Sequence, residues 1–533
     1  MRTPFIVTLL VLSAPAALAA QALTPADSAV HALNRLAYGP RPGDVERVAR
    51  GGVMRWIEAQ LDASAKPDAV LVARESQLEI RSIDPGELAR RFVQARSERI
   101  RRQRSADSMS MRDEPPPQQN EMRRYGGQTQ QLVVLRATMS ENQLYEVMVD
   151  FWTQHFNVYF AKGADRYLLP GYIENTIRPH ALGRFQDLLI ATAQSPAMMF
   201  YLDNVQSVAP GSRPPRLDRV DRLRFLGPRA DSLARFIQDR MPRGINENYA
   251  RELMELHTLG VDGGYTQQDV QEVARIFTGW SIQRPLMGAG FEYHPWAHDD
   301  GDKSVLGTKI KGGRGMDEGL ELLTMLAHHH ATMHHVGAKL CARFVADDPP
   351  DGCIDAAVDA WHESDGDIRA ILRAIFRSPD FWAARSVRAK VKTPLEFVVS
   401  AVRAVGGSPD TTLRLAQIVG RLGQPIYLQS APTGYPETQA DWVNSGALLQ
   451  RMNFAMGLAS GRAPGVSADL AAVLPTGNVE TLLSSINQKL LGGAMTAQTK
   501  TVLRKELASV SDPVQARALA VGLALGGPEF QKQ

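Results

Sequence analysis

Apolar residues in this chain recur at helical spacing, and this periodicity constrains its fold more than any other feature. The clearest example has spacings of three and four and consists of Leu144, Val147, Met148, Phe151, Trp152 and His155. Such spacings place all six side chains on one stripe of a helix. Alternation of apolar and polar residues at a period of two, which is typical of strands, is scarce. The pattern predicts an all-α fold, a large multi-helix globular protein with long loops and a mobile insertion.

Two helix starts are visible near the N-terminus. Thr24 followed by Pro25 is typical of the beginning of a helix. Gly43 followed by Asp44 predicts a second helix, whose apolar positions continue to Leu61.

The composition also predicts the domain organisation. Residues near 99–130 are charged and rich in Pro, Gln and Ser, so burial cannot offset the entropy of ordering them, and we predict a disordered insertion there. From about residue 411 the chain returns to helices, with a Gly- and Pro-containing connection over 423–441. We therefore predict a main helical domain over 21–410 and a C-terminal helical region over 411–533 that packs on it.

Residues 1–20 predict a secretory signal peptide. Arg2 is followed by an apolar run from Phe5 to Leu12, and small residues around Ala19 and Ala20 offer cleavage positions. The apolar run is far shorter than the roughly 20 residues that span a bilayer. We expect a periplasmic or secreted protein without a membrane span.

The overall charge disfavours one class of partner, and the two cysteines leave two redox states open. The chain has 60 Lys and Arg against 57 Asp and Glu, so no overall field attracts it to nucleic acid. Cys341 and Cys353 lie 12 positions apart, and in an oxidising compartment they form either a disulfide or two free thiols.

His155 has two possible roles, since it ends the apolar stripe and therefore faces the interior. It is either a core histidine bonded to a backbone carbonyl or a metal ligand or proton shuttle.

The segment from Asn246 to His257 is dense in polar groups for a helix that must also pack. On a regular helix, one face holds Glu247, Arg251 and Glu255, with Asn248 and Glu252 beside them. His257 projects elsewhere, so it cannot readily bind the same ion as Glu252. The segment is either an internal Glu-Arg-Glu ladder or part of a functional site.

A loop from Phe291 to Lys303 holds two histidines, three aspartates and aromatic residues. Loops carry function more often than their length suggests. His298 with Asp299 could bind a metal or perform acid–base chemistry, or else form a turn in which the histidine caps a neighbouring helix.

Five histidines lie between His328 and His335. Because Thr332 is a good helix N-cap, we predict an exposed loop between helices with adventitious metal affinity. The chain has no Gly-rich phosphate loop, no G-x-S-x-G elbow and no C-x-x-C pair, which excludes several common enzyme classes.

Ordered blocks along nearly the whole chain carry a family resemblance. These blocks are 32–40 (ALNRLAYGP), 151–156 (FWTQHF), 199–204 (MFYLDN), 246–260, 265–269, 275–280 (RIFTGW), 298–307, 339–344, 394–398 (PLEFV) and 441–451. On these blocks the chain resembles the bacterial family known as domain of unknown function 1800. The resemblance implies a helical fold and export, and it implies no activity because the family is uncharacterised.

Two further implications come from the resemblance. Family members often carry Phe-Trp-His-Asn-His-Phe where this chain has Thr153 and Gln154, so one potential metal ligand beside His155 is missing. Members also resemble gene neighbours of a second exported family, domain of unknown function 1501, which implies a partner of that type.

The leading hypothesis is an exported helical protein with one buried polar site that is metal-dependent and hydrolytic or oxidative. Its proposed catalytic residues are Glu252, His298 and Asp299; the ligands of a divalent metal ion are His155, His257 and His298; and the supporting residues are Arg251, Asn248, Lys303 and Asp203. The alternative is a non-enzymatic scaffold or assembly partner of another exported protein. A third hypothesis, carbohydrate binding by paired carboxylates of Glu252 and Asp299, requires them to be about 5 to 10 Å apart.

Overall fold

The structure is a computed structural model that describes six segments of the chain. The described residues are 23–62, 68–105, 117–213, 244–283, 289–474 and 477–533. The predicted signal peptide, residues 1–20, lies outside them.

Helices account for most of the first half of the described chain. They are α1 (Pro25–Arg35), α2 (Asp44–Gly51), α3 (Val53–Leu61), α4 (Ala69–Glu75), α5 (Pro85–Ser105), α6 (Pro117–Met139), α7 (Gln143–His155), α8 (Asp165–Tyr172), α9 (Arg178–His180), α10 (Phe185–Ala193), α11 (Pro196–Tyr201), α12 (Asn248–Glu252) and α13 (Gln267–Ile276). Two π-helical turns, Ile173–Ile177 and Leu253–His257, follow α8 and α12.

The second half is built in the same way. Its helices are α14 (Met316–Ala327), α15 (His330–Phe344), α16 (Asp351–Ser364), α17 (Ile368–Arg377), α18 (Pro379–Trp382), α19 (Pro394–Ala404), α20 (Arg414–Arg421), α21 (Gln439–Trp442), α22 (Ser445–Ala459), α23 (Leu470–Val473), α24 (Val479–Lys489), α25 (Ala497–Leu507), α26 (Pro513–Gly526) and α27 (Pro528–Gln531). The predicted mainly α-helical fold is therefore confirmed.

The strands are short and pair locally. They form three antiparallel pairs in the described residues, β1 (Trp280–Ile282) with β2 (Phe291–Tyr293), β3 (Lys303–Val305) with β4 (Thr308–Ile310), and β5 (Ser408–Pro409) with β6 (Val466–Ser467). In the first pair, for example, Trp280 lies opposite Tyr293.

The two predicted helix starts behave differently. The Thr24 side chain accepts a hydrogen bond from the backbone of Asp27 and caps α1, as predicted. The second helix is not continuous to Leu61 as predicted, because it ends at Gly51. Gly52 has a φ of 90°, which glycine adopts without strain, and the chain turns there before α3 begins.

The predicted disordered insertion near 99–130 is helical at both ends. Helix α5 extends to Ser105 and α6 begins at Pro117, while residues 106–116 lie outside the described part of the chain. Arg91 on α5 donates hydrogen bonds to Glu121 at 3.0 Å and to Tyr125 at 2.9 Å on α6. Composition missed these helices because contacts between them, rather than local apolar content, stabilise them.

One large hydrophobic core joins the N-terminal and C-terminal helices. It extends from Ala32 to Phe530 and includes residues of most long helices. Helices α22 and α26 approach closely at Gly522, which has no side chain. A Cβ atom there would lie 2.4 Å from the sulfur of Met456. No helix in the described ranges has both the length and the apolar character that crossing a membrane requires.

A disulfide joins Cys341 on α15 to Cys353 on α16. The sequence left the choice between a disulfide and two thiols open, and the structure has the disulfide. The bond closes the loop between two packed helices, and both cysteines are fully buried.

Candidate functional site

Helix α7 carries the predicted apolar stripe and brings His155 into the core, since every stripe residue is buried. The Nε2 atom of His155 lies 3.1 Å from the carbonyl oxygen of His257, and its Nδ1 atom lies 3.0 Å from Nζ of Lys339. These partners assign Nε2 as the donor and Nδ1 as the acceptor. His155 thus makes the hydrogen bonds of a satisfied core histidine.

A basic cluster surrounds this residue and consists of His155, His257, His335 and Lys339. The rings of His257 and His335 lie 6.2 and 6.5 Å from the ring of His155. Burial, and then the neighbouring Lys339, lowers the pKa of His155 well below its usual value, that of His257 to about 3 and that of His335 to about 4. Burial lowers the pKa of Lys339 to about 8. At neutral pH the three imidazoles are therefore uncharged.

A π-helical turn explains why His257 meets His155. The turn Leu253–His257 follows α12 directly. A π turn holds more residues than an α-helical turn, so side chains after Glu252 are rotated away from the positions that a regular helix predicts. The sequence predicted the regular geometry, in which His257 projects away from Glu252, and it predicted His155 and His257 as ligands of one metal ion.

The predicted Glu-Arg-Glu ladder is incomplete for the same reason. Arg251 pairs with Glu247 at 3.2 Å and donates to Gln267 at 3.0 Å. Glu255 instead accepts a hydrogen bond from the hydroxyl of Tyr265 at 3.4 Å. Arg251 therefore belongs to the surface of α12 and α13 rather than to an internal network.

The remaining candidates near α12 make local contacts. Glu252 is half-buried, and burial together with Glu255 raises its pKa. The Asn248 side chain donates to a backbone carbonyl at 3.2 Å. Asp203 has a φ of 61° and pairs with Lys162 at 2.8 Å. None of these contacts joins Glu252 to His257 or to His298 within the described residues.

A second buried network holds His298, Lys303 and Glu318, and we call it the Glu318 network. The Nζ atom of Lys303 lies 2.5 Å from Oε2 of Glu318, and neither side chain is exposed. The Nε2 atom of His298 lies 3.3 Å from the same oxygen, and its Nδ1 atom lies 2.9 Å from the carbonyl oxygen of Thr278.

Asp299 lies beside the Glu318 network but is held by another cation. Arg275 donates to its two carboxylate oxygens at 2.9 and 3.0 Å. Burial opposes ionisation of Asp299, but the hydrogen bond from Arg275 lowers its pKa below the usual value. No hydrogen bond or ion pair in the described chain joins Asp299 to Glu252, so the paired-carboxylate arrangement is not formed by direct contact.

The candidate residues thus do not form one site. Some of them fall into two groups, and Arg251, Glu252, Asn248 and Asp203 belong to neither. His155 and His257 lie in the basic cluster, whereas His298, Asp299 and Lys303 lie in or beside the Glu318 network. His155 and His298 each use one ring nitrogen on a backbone carbonyl. Among the described residues, no three His, Cys, Asp or Glu side chains are arranged to hold a metal ion.

The five histidines of 328–335 are not a simple exposed loop. The His329 side chain caps α15 by accepting a hydrogen bond from a backbone N–H at 3.2 Å, and the helix begins at His330. Thr332, predicted as the cap, is buried inside the helix. Only the junction at 328–329 separates α14 from α15. The predicted cap, Thr332, therefore lies three residues after the observed cap, His329.

Three residues of α15 complete the site but were not among the predicted site residues. His335, Lys339 and Arg343 are spaced by four and lie on one face of α15. This spacing was the available signal, and it was overlooked because the run of adjacent histidines suggested a loop.

A polar cavity lies against α7, and we call it the α7 cavity. It holds about 510 Å³ of empty space, including its opening. Its polar and aromatic lining consists of Tyr38, Arg136, Glu146, Asp150, Thr153, Gln154, Arg178, Gln424, Tyr427 and Tyr435. The lining residues come from the segment after α1, from α6, α7 and α9, and from the connection after α20, which are distant in the sequence.

Carboxylates neutralise both arginines of the α7 cavity. Arg136 pairs with Glu75 at 2.7 Å and with Glu174 at 2.5 Å. Arg178 pairs with Glu146 at 2.8 Å. These pairs leave neither guanidinium as an uncompensated charge.

Asp150 is different, because no Lys, Arg or His of the described chain lies within 4.0 Å of its carboxylate. It accepts a hydrogen bond from the Gln154 side chain at 3.3 Å. Burial raises its pKa to about 6, and the nearby Arg343 offsets this effect in part. A carboxyl group with this pKa can exchange a proton close to neutral pH.

Arg343 connects the α7 cavity with the basic cluster. It forms an ion pair with Glu396 and a second with Glu437 at 3.3 Å. Burial opposes ionisation of Glu396, but Arg343 lowers its pKa to about 2. Since Arg343 follows Lys339 by one turn of α15, one helix supplies charges to both places.

The connection after α20 closes one side of the α7 cavity. Tyr427 has a φ of 61°, a left-handed conformation that residues other than glycine rarely adopt. Its carbonyl accepts a hydrogen bond from the backbone of Phe160 at 3.0 Å. The backbone N–H of Tyr435 donates to the Gln154 side chain at 3.1 Å, which ties the connection to α7. Strained backbone of this kind is common at ligand sites.

Comparison with known proteins gives a family but no activity. A family model described as "Protein of unknown function (DUF1800)" matches residues 31–532, which include the basic cluster, the Glu318 network and the α7 cavity. Comparison with curated proteins and with solved structures finds no match.

Proposed function

Since this chain belongs to the family described as Protein of unknown function (DUF1800), which supplies no activity, we propose a function from the site itself. The protein is exported and binds a small organic cation, such as a primary ammonium, in the α7 cavity. Asp150 pairs with the bound charge.

The unpaired carboxylate of Asp150 is the observation that carries this proposal. Both arginines of the cavity are already bound to carboxylates, so Asp150 has no ion pair in the described chain, and Arg343 compensates its charge only in part. A carboxylate removed from bulk water is costly unless it is paired. A bound cation would supply the missing partner and would lower the pKa of Asp150 from about 6.

The aromatic lining supports the same class of ligand. Tyr38, Tyr427 and Tyr435 line the cavity with Asp150. The face of a tyrosine ring attracts an ammonium group by about 0.5 to 2 kcal/mol, depending on how far water is excluded. A neutral ligand of the same size would gain neither this attraction nor the ion pair.

Catalysis at the same place would use Asp150 as a general base. Its pKa of about 6 leaves it ionised at neutral pH and able to take a proton from a hydroxyl or ammonium group nearby. A metal-dependent hydrolytic or oxidative reaction is a separate proposal. Elemental analysis of the purified protein tests it, and a stoichiometric divalent metal would favour it.

Export rests on two observations. The first is the predicted signal peptide over 1–20, and the second is the disulfide of Cys341 with Cys353, because disulfides persist in oxidising compartments. N-terminal sequencing of the protein from a periplasmic fraction should begin near Ala20 or Gln21. Intact protein confined to the cytoplasm would contradict export.

Isothermal titration of the mature protein with propylammonium chloride at about pH 7.5 tests the ligand class, because Asp150 is then ionised. We expect saturable binding of one equivalent. Neutral propanol should bind at least about tenfold more weakly, which corresponds to about 1.4 kcal/mol. Equal binding of the amine and the alcohol would rule out a cation site.

A matched pair of variants locates the site. Asp150→Asn preserves the shape of the side chain but removes its charge, so it should weaken propylammonium binding about tenfold or more. Asp187→Asn changes an exposed aspartate on α10 in the same way and should bind like the wild type. If both variants bind the amine equally, the α7 cavity is not the site.

A second candidate function is assembly with another exported protein, as the domain of unknown function 1501 hypothesis suggests. Exposed apolar side chains around the start of α22 favour it, since Val443, Leu448 and Leu449 are 38, 39 and 60% exposed. Leu449→Ser should abolish co-purification of a stoichiometric partner from the periplasm. Recovery of no such partner with the wild type would count against this function.

A further inference from the structure

A second cavity lies between α1 and the C-terminal part of the chain, and we call it the C-terminal cleft. It holds about 420 Å³ of empty space, including its opening. Val30 of α1, Ser400 of α19, the end of α24 and Phe530 of α27 contribute to its lining. It shares no lining residue with the α7 cavity.

Positive charge dominates the lining of the C-terminal cleft. Four cationic side chains line it, namely Arg388, Lys392, Lys489 and Lys532, against the single carboxylate of Glu529. Such an excess attracts anions, because a concave wall of low dielectric concentrates the field of the charges around it.

Lys392 is the most unusual member of this group. It is 3% exposed, and its Nζ atom lies 3.8 Å from the centre of the Phe530 ring. In the described part of the chain, its ammonium group has no hydrogen bond and no carboxylate within 4.0 Å. Its backbone is fixed, since its N–H donates to Gln531 at 2.9 Å and its carbonyl accepts from Arg451 at 2.8 Å.

Arg388 adds a second cation whose partners are neutral. Its guanidinium donates to the carbonyl oxygens of Leu491 at 2.5 Å and Glu529 at 3.1 Å. Carbonyl groups fix the orientation of the side chain without cancelling its charge.

The Glu529 carboxylate forms no direct ion pair with these cations in the described chain, although its charge partly offsets the effect of burial on the pKa of Arg388. It accepts hydrogen bonds from the hydroxyls of Thr496 at 2.8 Å and Thr499 at 2.6 Å. No cation of the described chain lies within 4.0 Å of it. Direct pairing with this carboxylate therefore does not neutralise the four cations of the lining.

We propose that the C-terminal cleft binds a small oxyanion, of the carboxylate or phosphate class, with Lys392 as the buried charge that pairs with it. A buried charge without a partner is strongly destabilising, and a bound oxyanion would supply both the opposite charge and acceptors for the three ammonium protons. This site is independent of the proposed cation site.

Binding at Lys392 should depend on pH. Burial, and then Arg388, lowers the pKa of Lys392 to about 7. The other charged groups that act on Lys392 or line the cleft are Glu396, Arg451, Lys489, Glu529 and Lys532. Because an oxyanion binds the protonated amine, its affinity should fall roughly tenfold between about pH 6 and about pH 8.

Isothermal titration with sodium sulfate and, separately, sodium acetate tests the proposal, since neither anion titrates in this range. Sulfate stands for the phosphate class and acetate for the carboxylate class. We expect one equivalent of at least one of them to bind, and Lys392→Met to weaken that binding about tenfold or more. Lys505→Met, which changes an exposed lysine on α25, should bind like the wild type. Asp150→Asn should also bind like the wild type, which separates this test from that of the α7 cavity.

A second measurement does not depend on the folding of the Lys392 variant. Saturating sulfate or acetate should protect Lys392 of the wild-type protein from acetylation by acetic anhydride, followed by mass spectrometry. Lys505 should be acetylated equally with and without the anion. Absence of binding in the titration, or equal acetylation of Lys392 in both conditions, would overturn the proposal.

Discussion

The Nζ atom of Lys339 lies 3.0 Å from Nδ1 of His155, while the other ring nitrogen of the histidine meets the carbonyl of His257. One imidazole therefore links α7, the π turn after α12 and helix α15. Each of these segments also contributes to the surroundings of the α7 cavity or the basic cluster. The role of His155 in this arrangement is to hold three segments together, and its removal should be measured as lost stability.

His155→Ala should lower the free energy of unfolding by about 2 to 4 kcal/mol. The variant removes a ring packed 4.5 Å from Phe156 and leaves the Lys339 ammonium without its acceptor. Urea unfolding followed by circular dichroism measures the change. His334→Ala, at an exposed position of α15, should change stability by no more than about 0.5 kcal/mol, and an equal loss in both variants would contradict the linking role.

Glu318→Gln should destabilise the protein by about 3 to 5 kcal/mol, because it removes the carboxylate that pairs with the fully buried ammonium of Lys303 at 2.5 Å and leaves that of Asp299, which lies 4.0 Å away and is already bound by Arg275. The matched control is Glu321→Gln on the same helix, where the exposed pair with Arg314 contributes about 0 to 1 kcal/mol. Thermal unfolding of both variants measures the difference. Similar midpoints of thermal unfolding for the two variants would show that another group compensates the charge of Lys303.

Local signals in the sequence predicted much of the helical framework. The Thr24 cap and the apolar stripe of α7 are both confirmed. Each of these features depends on residues within one or two turns of each other. Their geometry is therefore determined by the sequence nearby.

The candidate site could be predicted only in part, because it depends on contacts between distant segments. The sequence identified His155 and His257, but the π turn changed the direction of His257. It also identified Asp299, whose carboxylate is held by Arg275. Asp150 was missed, although it lies inside the predicted helix α7, because what distinguishes it is that no cation of the described chain lies within ion-pair distance of its carboxylate. That property follows from tertiary packing and has no local signature.

Reduction of the disulfide between Cys341 and Cys353 should lower the free energy of unfolding by about 3 kcal/mol, as expected for a loop of this short length. The double variant Cys341→Ala with Cys353→Ala should lose a similar amount. Urea unfolding with and without dithiothreitol measures both effects. The double variant provides the control, because its stability should not respond to the reductant, and a wild type that is equally insensitive would contradict the disulfide.

Asp150→Asn should stabilise the unliganded protein at neutral pH, and the sign follows from the pKa of the carboxyl group. Burial raises this pKa from 3.8 to about 6 in the folded protein. The folded state therefore binds the proton more tightly than the unfolded state, so wild-type stability falls as the pH rises from about 4 to about 6 and is constant above it. The wild type loses about 1 to 3 kcal/mol of its free energy of unfolding over this range. The loss is limited because the carboxyl group is half-buried at the edge of the cavity.

Urea unfolding of Asp150→Asn and the wild type at about pH 4 and about pH 7 measures this effect. The variant should gain about 1 to 3 kcal/mol relative to the wild type between the two conditions, because asparagine does not titrate. Asp187→Asn, at an exposed position, should show no such change. If the free energies of unfolding of Asp150→Asn and the wild type differed by the same amount at both pH values, a cation would already compensate Asp150 in the unliganded protein. The α7 cavity would then lack the charge on which cation binding depends.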